Sequence, residues 1–248
     1  MTPPAATDLE TLRRHRAIWA VRPELRAVYH EWFGRLLEQV GGLVPVVEIG
    51  AGPGFFKEFA PHLISTDLLP IPWVDISCDA GSLPFRTGSV GALVMVDTLH
   101  HLPAPVVFIG EAIRVLRPAG RLAVLEPWLT PLSYLMYRFL HHEECRLGVD
   151  LTNPFDGLRK RAFDGNAAIP SALVKHVSTH RYPLSLIRAE IFVALPYLLT
   201  FGFKRSRPMP GGLIAVAKAL ERLTGPVRRL AATRIVAVWE KSGYGPPA

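Results

Sequence analysis

The sequence predicts an α/β fold: a doubly wound, mostly parallel seven-stranded sheet, with helices ahead of it and a helical cap inserted after the fifth strand. Three observations predict it. Short runs rich in Val and Ile alternate with helix-period segments from residue 43 onward. A glycine-rich turn, Glu48-Ile49-Gly50-Ala51-Gly52-Pro53-Gly54, follows the first such run directly. Acidic residues Glu48, Asp67, Asp79, Asp97 and Glu126 recur at or just beyond the ends of successive runs. A sheet built by β-α alternation binds its ligand at the carboxyl ends of its strands, so acids collected there point to a site rather than to core packing.

The elements follow in order. The first 40 residues read as two helices, with Thr7 or Asp8 capping the first and Pro23 opening the second. In the second, Leu25, Val28, Tyr29, Trp32, Phe33, Leu36, Leu37 and Val40 recur at steps of mostly three and four, and Gly41-Gly42 ends it. Strands are expected over 43–49, 62–66, 73–77, 91–96 and 121–126, with helices over 55–60 and 104–116. Arg117-Pro118-Ala119-Gly120 turns the chain into the fifth strand. Beyond Pro127 a helix is expected over 133–146. A sixth strand is expected within 176–187, where Pro183 restricts it, and a seventh over 233–240. Apolar helices interrupted by Pro196 and by 208–212 lie between the last two strands. One domain results, with N-terminal helices (1–42), a nucleoside-binding core (43–128) and an acceptor-side cap (129–248).

The composition suits such a core: 49% of the 248 residues are hydrophobic and 20% are charged, which excludes a disordered chain. Cys78 and Cys145 are too few and too far apart for a disulfide framework or a metal knuckle, and a reduced, cytoplasmic setting is expected. The first 16 residues have no apolar signal core, and no run of about 18 uncharged apolar residues occurs. Of the net charge of +7, all the excess falls in residues 202–248, with nine Lys/Arg against two Asp/Glu. A basic segment interleaved with Leu, Ile and Val suits either an anionic membrane surface or a solvated face.

Glycines at Gly50, Gly52 and Gly54 let the backbone turn tightly after a strand and come close to a ligand. N–H groups at the next helix start favour an anion by about 0.3–1 kcal/mol. Asp67, followed by Leu68, ends the second strand, where a carboxylate can accept bonds from both hydroxyls of a ribose. A dinucleotide fingerprint requires glycine at the sixth position counted from Gly50, which here is Phe55. The Gly-Lys-Ser/Thr of a phosphate loop is absent as well.

These residues resemble the seven-strand, Rossmann-like S-adenosylmethionine-dependent methyltransferases, in particular the small-molecule (type 11-like) subgroup. Val46 to Gly54 resembles the first motif, which implies that Glu48, Gly50, Ala51, Gly52 and Gly54 contact the cofactor. Asp67 resembles the ribose-binding acid, and Asp79-Ala80 resembles the adenine-contacting pair. Asp97-Thr98-Leu99-His100-His101-Leu102 resembles the segment after the fourth strand. Arg114 to Leu122 resembles the turn into the fifth, with Pro-Ala-Gly in place of the usual Pro-Gly-Gly. The resemblance covers residues 44–128. It implies S-adenosyl-L-methionine as cofactor and leaves the methyl acceptor open.

Methyl transfer from a sulfonium is an in-line displacement that relies on positioning and desolvation, with a base needed for some acceptors. Candidate bases are His100 and His101, and Tyr137, His141 and His142 on the following helix, where Tyr137, His141 and Cys145 share a face. No metal is expected: His141, His142 and Glu144 are loosely spaced, and Glu126-Pro127 stands where the resembled metal-dependent enzymes carry Asp-Asn. The apolar cap favours a small-molecule, lipid-like acceptor. The alternatives are an RNA methyltransferase, for which base-stacking aromatics interleaved with the basic segment are missing, and a non-catalytic protein that binds S-adenosylmethionine.

Overall fold

The computed structural model describes residues 6–139, 145–155 and 163–243. Seven strands form one sheet in the order β3-β2-β1-β4-β5-β7-β6. They are β1 (Val46–Ile49), β2 (Ile64–Asp67), β3 (Ile76–Ser77), β4 (Val90–Val96), β5 (Leu116–Pro127), β6 (Leu184–Phe192) and β7 (Arg234–Lys241). Neighbours from β3 through β5 are parallel, and β7 runs antiparallel to both β5 and β6. The order reverses between β1 and β4, which opens the crevice that receives a ligand in such sheets. β1 is buried throughout despite carrying Glu48, and β4 is buried nearly throughout, as its unbroken apolar sequence requires.

Helices α1 (Ala6–Val21) and α2 (Pro23–Val40) precede the sheet. Pro23 opens α2, and Gly41, at φ +57°, closes it by donating its N–H to the Leu37 carbonyl at 3.0 Å. The buried stripe of α2 packs with Val46, Ala92, Val94, Ala123 and Val236 on one face of the sheet. The other face is covered by α4 (Pro105–Val115) and α6 (Ile169–Thr179). Between β1 and α4 lies the five-residue α3 (Phe55–Phe59). The cap adds α5 (Pro131–Phe139), α7 (Leu195–Thr200), α8 (Gly211–Arg222) and α9 (Arg228–Ala231).

One polar contact ties the two ends of this arrangement. Arg22, at the junction of α1 and α2, is wholly buried. Its Nε donates to Glu24 Oε1 at 2.7 Å, its Nη1 to the Gly202 and Arg205 carbonyls at 2.7 Å, and its Nη2 to the Thr200 carbonyl at 2.9 Å. Four of the five N–H donors of the guanidinium are thus met by backbone carbonyls and one carboxylate, which a buried cation requires.

Several expected boundaries shift. Thr7 and Asp8 lie inside α1, which starts at Ala6, so neither caps it. β5 begins at Leu116, ahead of the Pro-Ala-Gly turn, and its pairing with β4 is interrupted between Val90 and Ala92. Residues 176–179, expected to fall in a strand, close α6, and β6 starts only after Pro183. Pro196 occupies the first turn of α7, where its missing N–H costs nothing, and so opens that helix rather than interrupting it. The helix expected over 133–146 is observed as Pro131–Phe139, and the following residues 140–144 lie outside the described ones.

Candidate functional site

The glycine turn is held by close packing. Gly50, Gly52 and Gly54 all have positive φ. A Cβ on Gly50 would lie 2.1 Å from Thr98 Cγ2, and one on Gly54 would lie 2.8 Å from Trp73 Cδ1. The turn thus abuts the end of β4 on one side and an indole on the other. Asp67 braces it from β2: Oδ2 accepts from the Gly52 N–H at 2.7 Å and Oδ1 from the Leu69 N–H at 2.8 Å. Burial raises the Asp67 pKa, while the backbone bonds oppose the rise. The Gly52 N–H is thereby given to Asp67, and the helix that follows the turn, α3, is five residues long. Leu68 is exposed, Ala80 is buried, and Asp79 is exposed with Oδ1 accepting from the Gly81 N–H at 2.8 Å. Gly50, Gly52, Asp67, Leu68, Leu69, Asp79, Ala80 and Thr98 line one cavity of about 940 Å3.

Glu48, within β1, also lines it. Its Oε2 is buried and has no hydrogen-bond partner among the described residues. Burial, followed by the neighbouring Asp67 charge, pushes its pKa from 4.5 to about 8, with Lys57 opposing. The folded state therefore holds a proton that the unfolded chain releases. Stability is expected to fall as pH rises from about 4.5 to about 8 and to level off above, since the unfolded state binds fewer protons in that window. Melting temperature against pH checks this, and Glu48→Gln should flatten the slope; an unchanged slope in that variant would refute the assignment. An orphaned acid of this kind suits a cationic ligand, whose arrival would drive the proton off. S-adenosylmethionine, bearing a sulfonium and an ammonium, fits that requirement.

After β4 the chain makes a tight corner governed by Glu126 near the end of β5. Glu126 is fully buried. Its Oε1 accepts from the Thr98 and Leu99 N–H groups at 2.8 and 2.7 Å, and its Oε2 lies 2.7 Å from His100 Nδ1. His100, 2% exposed, is thereby committed to the corner. His101 is half-buried, its ring 4.0 Å from that of His100, and lines the cavity. Asp97 sits at φ +51° with Oδ1 accepting from Arg234 Nη1. Asp97, His100 and Glu126 offer atoms within 4.8 Å of one another, as metal ligands would. Each is already engaged, by Arg234, by Glu126 and by backbone N–H groups, so a cation there would have to displace those partners.

The far wall of the cavity was not legible in the sequence. α1 closes over the glycine turn: Leu12 faces Gly52, Arg16 donates to the Pro53 carbonyl at 2.6 Å, and its guanidinium lies 4.8 Å from the Trp73 ring. Trp73 Nε1 in turn donates to the Gly52 carbonyl at 2.7 Å. His15 stacks on Phe203 from the cap at 4.4 Å, and Trp19 stacks on Phe55 at 3.9 Å. Tyr29, Phe33, Tyr137, Phe163, Tyr197 and Phe201 complete a wall that is mostly aromatic. Tyr137, 3% exposed, donates its hydroxyl to the Thr233 carbonyl at 3.2 Å and packs with Cys145. His141 and His142, the remaining candidate bases, lie outside the described residues, as does Glu144.

Comparison with known proteins accords with this geometry. The methyltransferase domain family matches residues 47–124, which span β1 to β5. A SAM-dependent methyltransferase from Archaeoglobus fulgidus shares the fold with a TM-score of 0.52 at 14% identity, over 87% of this chain and 94% of that one. The geranyl diphosphate C-methyltransferase from Streptomyces coelicolor A3(2), in complex with Mg2+, geranyl diphosphate and S-adenosyl-L-homocysteine, gives 0.52 at 13% identity, over 85% and 78%. The cyclase SpnF gives 0.53 at 14% identity, over 86% and 81%. At such identities the structural likeness speaks for the fold alone. No curated protein matches the chain in sequence. A methyltransferase domain thus spans residues 47–124, and the seven-stranded sheet around it has the Rossmann-like methyltransferase fold.

Proposed function

We propose that this enzyme methylates a small, largely apolar, lipid-like acceptor by in-line displacement, and that it works as a peripheral protein at an anionic membrane surface. The observation that carries the acceptor is a continuous cavity running from the glycine turn to an aromatic wall. Aromatic side chains contribute large apolar area and exclude water, which strengthens every electrostatic contact within. When bound, S-adenosylmethionine supplies an electrophilic methyl group on sulfur. Glu48, Gly50, Ala51, Gly52, Gly54 and Asp97 would hold its amino-acid end. Asp67, Leu68, Asp79 and Ala80 would hold its nucleoside. His101 is the side chain placed to take a proton where the acceptor has one to lose, with His100 fixing the corner beneath it.

The membrane reading rests on exposed apolar side chains beside exposed cations. Leu135 and Phe139 on α5, Val216 and Leu220 on α8, Leu223 and Leu230 are 49–73% exposed. α9 packs on α5, and Arg228 and Arg229 project from it, both exposed. No described helix is long and apolar enough to cross a membrane. Interfacial attachment needs only such a mixed face, with each Lys or Arg near an anionic leaflet adding about 1 kcal/mol.

Both parts are tested by incubating the enzyme with methyl-labelled S-adenosylmethionine and anionic liposomes that carry a lipid extract. Label should partition into organic solvent, and the protein should float with the vesicles at low salt. Label confined to water-soluble products would overturn the lipid-like acceptor, and protein left at the bottom of the gradient would overturn the membrane surface.

A further inference from the structure

The acceptor end of the cavity contains a buried cation that the transfer reaction has not yet used. Arg234 opens β7, opposite Pro127 of β5, and is 6% exposed. Its guanidinium lies 5.3 Å from the Trp32 ring and 5.0 Å from the Tyr197 ring, and its Nη1 donates to Asp97. Tyr29, Tyr137 and Tyr197 lie close enough for their charge states to bear on it. The rest of β7 reads Ile235, Val236, Ala237, Val238, Trp239, so an aliphatic residue at 234 would continue the strand at no cost of desolvation. Among the described residues Asp97 is the hydrogen-bond partner of this guanidinium, and Arg234 lines the cavity. A guanidinium has five N–H donors in a fixed fork, and two flanking rings hold this one in place.

Two of the nearby candidates for a base are, by contrast, occupied. His100 is bound to Glu126, and Tyr137 gives its proton to a carbonyl. A reaction whose acceptor is already an anion needs no base.

We propose that Arg234 binds an oxyanion on the methyl acceptor, a carboxylate, enolate or acidic phenolate, and keeps it ionised for transfer. This rests on the methyltransferase reading above. An oxyanion lone pair, or the enolate carbon conjugated with it, forms the new bond to the methyl carbon. The carbon–sulfur bond breaks as it forms, its electron pair stays on sulfur, and no proton moves. The acceptor loses its negative charge in that step, so the product no longer pairs with Arg234 and leaves more readily than the substrate. Asp97 is a positioning residue here: it neutralises the guanidinium before the acceptor arrives and sets the plane of the fork.

Aromatic carboxylates of increasing size (benzoate, 2-naphthoate, 4-biphenylcarboxylate) serve as probes against their own primary amides. They are titrated by calorimetry into protein saturated with S-adenosylhomocysteine. At least one carboxylate should bind about tenfold more tightly than its amide, the scale of a charge-assisted pair. Arg234→Met should remove that preference and Arg234→Lys should keep part of it, while both variants bind S-adenosylhomocysteine as the parent does. Equal binding of acid and amide, a preference that survives in Arg234→Met, or no carboxylate binding at all would overturn the proposal. So would loss of S-adenosylhomocysteine binding in a folded Arg234→Met protein, because the cation would then serve the cofactor. Failure of the parent protein itself to bind S-adenosylhomocysteine would overturn the methyltransferase reading instead.

Discussion

Asp67→Ala is expected to weaken S-adenosylmethionine binding by at least about 100-fold, measured by calorimetry. A hydrogen bond to a charged acceptor contributes about 1.5–3 kcal/mol, and a ribose diol presents two donors to this carboxylate. The loss is compounded locally. Asp67 also receives the Gly52 and Leu69 N–H groups, so its removal frees the glycine turn that the cofactor must meet. Asp67→Asn separates the two contributions. It keeps the shape and one acceptor oxygen, and should cost about tenfold, roughly 1.4 kcal/mol. Affinity unchanged in both variants, with the fold intact by circular dichroism, would remove Asp67 from the cofactor site.

Glu126→Ala is expected to be the most destabilising single change in the site, at about 3–5 kcal/mol, the usual cost of removing one partner from a buried charged network. In a chain of this size that lowers the melting temperature by about 10 °C. Three groups lose their acceptor at once: the Thr98 and Leu99 N–H groups and His100 Nδ1. Two of the three are shut off from water, because Leu99 is fully buried and His100 is 2% exposed. Thermal unfolding followed by calorimetry decides the matter. A drop of only a degree or two would mean that the corner after β4 is held by packing instead.

The glycine-turn end of this cavity was legible because its signals are local. A glycine turn, an acid at the end of a strand and a Pro-Ala-Gly turn each declare themselves within a few residues, and β4 forms over its apolar run. The acceptor half depends on contacts between residues far apart in sequence. Leu12 and Arg16 read as ordinary positions of an N-terminal helix, and only the fold brings them over Gly52 and Pro53. Arg234 reads as one cation at the head of an apolar strand, and nothing nearby in the chain announces Trp32 or Asp97. Glu126 was visible as an acid at a strand end, but its partner His100 lies 26 residues earlier. β6 was misplaced for a different reason. It is an edge strand paired on one side, so Ser185 and Arg188 stay exposed and the apolar run that marks an inner strand is absent.

Arg22 couples the start of the chain to the cap. A single guanidinium follows α1 and grips the carbonyls of Thr200, Gly202 and Arg205. Moving the cap segment outward would strip carbonyl partners from a buried cation. α1 is tied to the same region by the His15–Phe203 stack and to α2 by the Arg26 bonds to the Trp19 and Ala20 carbonyls. The two helices and the cap segment therefore act as one clamp, so a change in any of the three is felt in the others.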